Sequence, residues 1–546
     1  MIYEKPLFIL SIIKKVIKIY FIESRNTKAE IFFSSLLSRY KIPWDKRNRK
    51  IILTCIVGDY AMCIKLASAS FHVAKRENAN IGLYSIATKI ESFLYRNNRL
   101  WDMLYAKIAH RKLDTIFLGF GGKVVFRNVD NKKNDKIELV YQNIIKSIKS
   151  KDDILNIKLD GIPIGDLIYD TYLRFSVKPT IDIDDPYLDK IIYQAVQIFF
   201  TSKEVFSKYD VKAIINSYTC YIHFGINVRL AIERNIPIYT VGSYNSLVHR
   251  VFPGYPSHHN NHFAYKYLFN KLNNQVERIN AAKQIFEKRF EGEIDNATSY
   301  MKQSAFSKNY NPDLESIDWP NTVVLLAHCF FDSPHIYTEM LFPDFYEWIT
   351  FTIDRLNTLS NVKVLVKPHP NGVEGNDRVF AGLEEKYFGT NVQFIDKFTS
   401  NRQLIDARPL AVITAYGTAA SEFAYHDIPV ISIYDNPFSA FDFAKVLNSK
   451  EAYEEALLNI RSIYVNIKKS EILTYYYMQH LHFTAGRETN WLKYNEPMNN
   501  RDDYLNDYIP LMEDSGYFKM VDSTLAEGFV IADSEFNDLI QLKNAI

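Results

Sequence analysis

Two short stretches hold residues whose types and spacing can do chemistry together. The first is Lys367-Pro368-His369-Pro370-Asn371. Proline on either side restricts the backbone around the histidine and stops the preceding β-branched run from continuing as a strand. An imidazole is thereby held stiffly beside an ammonium at a strand end. Both groups can hold phosphate oxygens, and His369 can hand a proton to a leaving phosphate. A surface turn with an ordinary histidine has the same sequence. The second stretch is Tyr416-Gly417-Thr418-Ala419-Ala420-Ser421-Glu422, which follows the apolar run Leu410–Thr414. Gly417 lets backbone approach a ligand closely, and Thr418 is a residue type that caps helices. A helix opened there presents free N–H groups to a phosphate. Thr418 and Glu422 lie four apart on one helix face, so a carboxylate on a ribose diol would complete a nucleotide grip. A plain strand–turn–helix, with Glu422 a solvated first-turn acid, accounts for the same spacing.

Further candidates follow other apolar runs. Ile51–Val57 ends in Gly58-Asp59-Tyr60 and leads into a helical pattern (Ile64, Ala67, Phe71, Ala74). Asp59 there can deprotonate an acceptor hydroxyl with Tyr60 beside it, or it can simply cap the helix. Asn216, Tyr218 and His223 follow the run Val211–Asn216 and are acceptor contacts or structural groups. Arg174 lies four residues after Asp170 in the helical stretch Gly161–Phe175; it either pairs with Asp170 or faces the acceptor. Thr322–Ala327 delivers His328, Asp332 and His335 to a cleft, where one can touch a sugar donor. His258, His259 and His262 lack a second ligand group at a recognisable spacing, so no metal is expected.

These residues need strands that end at one edge of an open α/β sheet, which is where such sheets bind ligands. The expected fold is α/β with two Rossmann-like domains. A helical extension (1–50) precedes a first domain (51–310). Lys308–Asn321 has linker composition and leads to a second domain (320–445), and helices of 446–546 pack back on both. Asp114–Leu118 and Lys123–Phe126 both read as strands. A chain of 546 residues is long enough for two cores, and a net charge of +2 argues against a dedicated nucleic-acid binder. The four cysteines have no metal or disulfide spacing, which fits a reducing cytoplasm. Leu7–Ile13 is too short to span a bilayer. With Lys14, Lys15 and Lys18 it reads as an amphipathic basic helix, suited to the inner membrane surface or to packing on the protein.

The KPHPN strand end, followed by T-x-x-G-T-x-x-x-E and then P-V-I at Pro429–Ile431, resembles bacterial capsule and surface-polysaccharide glycosyltransferases of the GT-B fold. Within that group it is similar to capsule proteins related to Kdo transferases and bacterial sialyltransferases. The resemblance covers Thr322–Phe441. It implies a nucleotide-sugar donor whose phosphate is held by His369 and the Gly417-Thr418 helix start; Lys367, Asn371, Tyr416 and Glu422, with His328 and Asp332 nearby, are the further donor contacts expected from their positions. It also implies a polysaccharide or lipid-linked glycan acceptor, for which the first domain's own candidates, read from their positions, are Tyr60, Arg174, Asn216 and Tyr218. No cofactor or metal is expected, and Asp59 as base with His369 implies inversion. Tyr218 departs from the histidine expected there. A glycerol-phosphate transferase, a sugar-nucleotide epimerase and a non-catalytic nucleotide-binding component of a capsule assembly complex remain alternatives.

Overall fold

The protein's structure, a computed structural model, describes residues 27–482 apart from 38–39, 58–59, 85–112, 114, 127–133, 242–248, 252–261, 296–297, 299–300, 302, 308, 338 and 373–374, together with 505 and 509–510. The expected membrane-surface helix of residues 1–24, Asp59, His258 and His259 lie outside the described residues.

Two six-stranded sheets organise the chain. The first holds β1 (Lys50–Cys55), β2 (Asn80–Tyr84) and β3 (Lys123–Phe126). A separate antiparallel hairpin, β4 (Lys158–Leu159) and β5 (Ile162–Pro163), follows. The first sheet resumes with β6 (Asp210–Asn216), β7 (Ile238–Thr240) and β8 (His249–Arg250). Its order is β3-β2-β1-β6-β7-β8, parallel except for β8 against β7. The second sheet holds β9 (Thr322–Leu326), β10 (Lys363–Lys367), β11 (Val392–Phe394), β12 (Ala411–Ile413), β13 (Val430–Ile433) and β14 (Lys445–Leu447). Its order is β11-β10-β9-β12-β13-β14, parallel throughout. Each sheet runs outward from its first strand, then returns to that strand's other side. This is the doubly wound Rossmann order, and it leaves a crevice at each reversal, β1/β6 and β9/β12. The fold is α/β with two Rossmann-like sheets, as the strand runs predicted.

β-branched residues buried on both faces explain the central strands: all five residues of β9 are buried. Side chains alternate across the second sheet. Val364 and Val366 pack with Trp348 and Phe380 on one face, while Leu365 packs with Phe286 and Phe423 on the other.

Two expectations are corrected. Residues 115–119 are helical rather than a strand. That turn of helix closes on Gly121, whose φ of 92° and N–H to Leu118 O (3.0 Å) make a left-handed helix stop. A short apolar run does not distinguish the two structures by periodicity. Second, Tyr265, Phe269, Ala282, Phe286 and Phe306 belong to the core of the second sheet, although the sequence put 51–310 in the first domain. The helices Gln275–Phe290 and Lys469–Tyr476 share that core through Phe286, Tyr475 and Tyr476. Leu505 and Ile509 pack in the core of the first sheet.

Candidate functional site

At the end of β10, alternation sends Lys367 to the same face as Leu365. There it is 3% exposed and donates to Asn401 Oδ1 at 2.5 Å. Burial pulls its pKa down to about 8, with Glu422 and Asp396 opposing. Lys367 therefore lies beneath the strand end, and the phosphate contact expected of it is not made by this arrangement. His369, two residues on, is half-buried. Its Nδ1 accepts from the Asn371 N–H at 3.1 Å, which leaves the proton of the neutral ring on Nε2. Burial pushes its pKa below the ordinary value; Asp332 opposes that shift and Lys367 adds to it.

At the end of β12 the chain turns through Tyr416, Gly417 and Thr418. A Cβ on Gly417 would lie 2.9 Å from Thr414 Oγ1 and 3.6 Å from His328 Nε2, so glycine is required by close approach. The Gly417 N–H donates to Thr414 Oγ1 at 3.3 Å. Thr418 has helical φ/ψ and makes no side-chain cap, contrary to the capping expectation. The N–H groups of Thr418 and Ala419 have no protein acceptor among the described residues. The helix Ala419–Tyr425 is only two turns long, so its contribution is these local N–H groups rather than a summed dipole.

His328, at the end of β9 between β10 and β12, supports the second turn of this site. Its Nε2 accepts the Tyr416 N–H at 3.3 Å, and its ring stacks on Phe345 (4.9 Å between centroids) and leans on Tyr416 (4.7 Å). Burial, reinforced by His369, lowers its pKa to about 3, so it stays neutral. It is a post supporting the turn rather than the donor contact expected. Asp332 is exposed on the following loop, and its charge acts on His369, Tyr221 and Tyr416. The same loop reaches the first sheet's half: Ser333 Oγ lies 3.3 Å from Tyr221 OH, and Tyr416 OH donates to Ser333 O at 3.4 Å. The carboxyl edges of both sheets meet along this seam.

Glu422 departs furthest from expectation. It is 3% exposed, and both carboxylate oxygens are engaged: Arg289 Nη1 donates to Oε1 at 3.0 Å and Asn401 Nδ2 to Oε2 at 3.2 Å. Arg289 also forks onto Asp295, which accepts from Tyr476 OH. Burial opposes the Arg289 charge, but Glu422 and Asp295 outweigh it and hold its pKa above the ordinary value. The carboxylate anchors a buried network and does not open toward a ribose.

On the acceptor side, Asn216 is fully buried. It accepts from Tyr84 OH at 2.5 Å and donates to the carbonyls of Tyr218 and Phe224, so it is a structural tie rather than an acceptor contact. Tyr218 is half-buried against Phe224 at the end of β6. Arg174 is exposed in the last turn of the helix Gly165–Ser176, and Tyr60 opens the helix Tyr60–Glu77. Sequence reasoning missed Asn401, Arg289 and Tyr221. Asp170, flagged only for pairing with Arg174, instead reaches His335 across the seam.

Among the described residues no three His, Cys, Asp or Glu side chains gather to hold a metal, and no helix is long and apolar enough to cross a membrane. No protein-family model matches the chain, and no curated protein sequence matches it. Solved structures are similar to it at a distance. Thermosulfurimonas dismutans KpsC, a beta Kdo 2,4 transferase, is 13% identical over 48% of this chain and 79% of its own, with a TM-score of 0.30. S. aureus MnaA with UDP is 12% identical over 80% and 92%, with a TM-score of 0.24. The Methanocaldococcus jannaschii UDP-GlcNAc 2-epimerase, in complex with UDP-GlcNAc and UDP, is 11% identical over 77% and 97%, with a TM-score of 0.26. These superpositions are loose and carry no inference about substrate.

Proposed function

We propose that this chain is a glycosyltransferase that moves a sugar from a nucleotide-sugar donor to a capsular or other surface polysaccharide, or to its lipid-linked precursor. One junction carries the reading: His369 after β10 and the Tyr416–Thr418 turn after β12 flank the end of β9, where His328 holds the turn. That is the switch-point crevice of the second sheet, where doubly wound folds take nucleotides. In this reading the donor phosphate accepts from His369 Nε2–H and from the N–H groups of Thr418 and Ala419. Oriented donors of this kind stabilise the charge that develops on the leaving phosphate, so the reading requires no bound metal. In this reading Asp332 faces the sugar and Tyr221, which contacts Ser333 on the same loop, faces the acceptor.

Incubating the purified protein with CMP-, UDP-, GDP- and CDP-linked donors and glycan acceptors tests it. Transfer of sugar to an acceptor is the expected outcome. Transfer of glycerol phosphate, formation of an epimer, or tight nucleotide binding without turnover would each replace it.

A further inference from the structure

The seam between the two sheets holds an Asp–His pair that the donor grip does not use. Asp170 Oδ1 lies 2.6 Å from His335 Nδ1. Asp170, 1% exposed, comes from the helix Gly165–Ser176 in the first sheet's half, and His335 from the loop after β9 in the second. The neighbours of Asp170 fix its place. Thr171 Oγ1 accepts the Ile222 N–H at 3.0 Å, tying the helix to the start of Ile222–Glu233, just beyond β6. Tyr169 OH donates to Asp344 Oδ2 at 2.6 Å, and Asp344 caps the helix Phe345–Leu356 through the Glu347 N–H. Three consecutive residues therefore contact the second half, the imidazole and the first half's switch point.

With a carboxylate on Nδ1, the proton of the neutral ring sits there and Nε2 is left as an acceptor. That Nε2 is shut off from solvent and has no hydrogen-bond partner among the described residues. Leaving a buried polar atom unsatisfied is costly, so its position calls for a donor. Ser333, two residues before His335, accepts from Tyr416 OH at 3.4 Å, so the pair lies beside the donor-grip turn.

We propose that His335, oriented by Asp170, is the base that takes the proton of the acceptor hydroxyl. The proposal rests on the glycosyl-transfer reading. The acceptor O–H proton passes to His335 Nε2. The freed oxygen pair forms the bond to the anomeric carbon, and the bond from that carbon to the donor phosphate breaks with its electrons going to the phosphate. Because each half supplies one member, the base is oriented only while the two halves stay in contact along the seam.

The test is the pH profile of nucleotide release from the donor that the panel identifies, with p-nitrophenyl glycosides as acceptors. The groups facing His335 are Asp166, Tyr169 and Asp170 from the helix and Asp344 from the start of Phe345–Leu356; Asp166 is itself paired with Arg229. Burial pulls the His335 pKa down, and the three carboxylates outweigh it and raise it. A base must be neutral, so kcat falls as pH drops through that raised value. His335→Gln is expected to lower kcat by about 10²-fold or more with donor KM unchanged. Asp170→Asn is expected to lower kcat and to move the acid limb to lower pH, since the largest charge sustaining the raised value is gone. A purely structural clasp would lower thermal stability in Asp170→Asn without moving the limb, and that result overturns the proposal. So does kcat in His335→Gln within about threefold of wild type, or loss of the acid limb in Asp59→Asn alone. If His335→Gln does not fold, the Asp170→Asn profile decides. A wild-type protein that transfers no sugar from any donor refutes the glycosyl-transfer reading, and this proposal falls with it. Transfer with unaltered variant profiles refutes this proposal alone.

Discussion

A histidine that serves a leaving phosphate must present an N–H at working pH without a competing partner. His369 meets that condition because the Asn371 N–H occupies Nδ1, and burial keeps the ring from binding a second proton. His369→Ala is expected to lower kcat by about 10²-fold or more, the range for loss of an acid or charge stabiliser. Steady-state rates at saturating donor check this, and a wild-type rate removes the residue from the mechanism. The Gly417 turn is equally sensitive, for a different reason. In Gly417→Ala the new methyl meets Thr414 Oγ1 at 2.9 Å, so the turn must shift and its N–H groups move off line. Loss of one hydrogen bond of about 1.4 kcal/mol corresponds to a tenfold weaker nucleotide complex. Calorimetric titration with the nucleotide measures it; an unchanged affinity would place the phosphate elsewhere.

At the scale of elements, the buried network beneath the site decides what the strand ends can present. Lys367, Asn401, Glu422, Arg289 and Asp295 join β10, the two-turn helix after β12 and the helix Gln275–Phe290. Removing one partner strands a buried charge, so Glu422→Ala is expected to cost about 3–5 kcal/mol in urea unfolding. Lys367 adds a pH signature. Its folded pKa, about 8 against an ordinary 10.5, means that between these values the unfolded chain binds more protons. Stability therefore rises with pH across that window by up to about 1.4 kcal/mol per unit. Lys367→Met should remove this increment; matching pH slopes in variant and wild type would show that the ammonium is not desolvated. The strands of this network were legible in β-branched runs, and the His369 and Gly417 turns in their prolines and glycine. The burial of Lys367 and Glu422 was not. It depends on Asn401 and Arg289 covering one face, and Arg289 comes from a segment far along the chain that reads as a charged surface helix. The seam was legible only as the Asp170 and His335 positions, never as their contact, since no local pattern encodes which loop meets which helix across two sheets.

For the whole molecule, the question is whether the two halves unfold together. His223, 2% exposed in the first half, and His480, beside Arg289 in the second, each have a pKa lowered to about 3 by burial. Both remain neutral in the fold while the unfolded chain protonates them below pH 6.5. The unfolded state then binds the extra proton, so each histidine's contribution is present above that value and is lost on acidification, by about 1.4 kcal/mol per pH unit. Asp170, Asp189 and Asp344, whose carboxyls are raised mainly by burial, act in the opposite sense over part of the same window. The useful quantity is thus the difference between wild type and variant. His223→Gln and His480→Gln should each flatten the stability profile between pH 6 and pH 4.5 by about that increment per unit. The seam, with Asp170 on His335 and both Tyr169 and Thr180 on Asp344, predicts one cooperative transition that either substitution shifts. Urea unfolding followed by circular dichroism and by tyrosine and tryptophan fluorescence distinguishes the cases. If the halves are independent, two transitions appear, and each substitution moves only the one belonging to its own sheet; the seam would then be too weak to assemble a base across it.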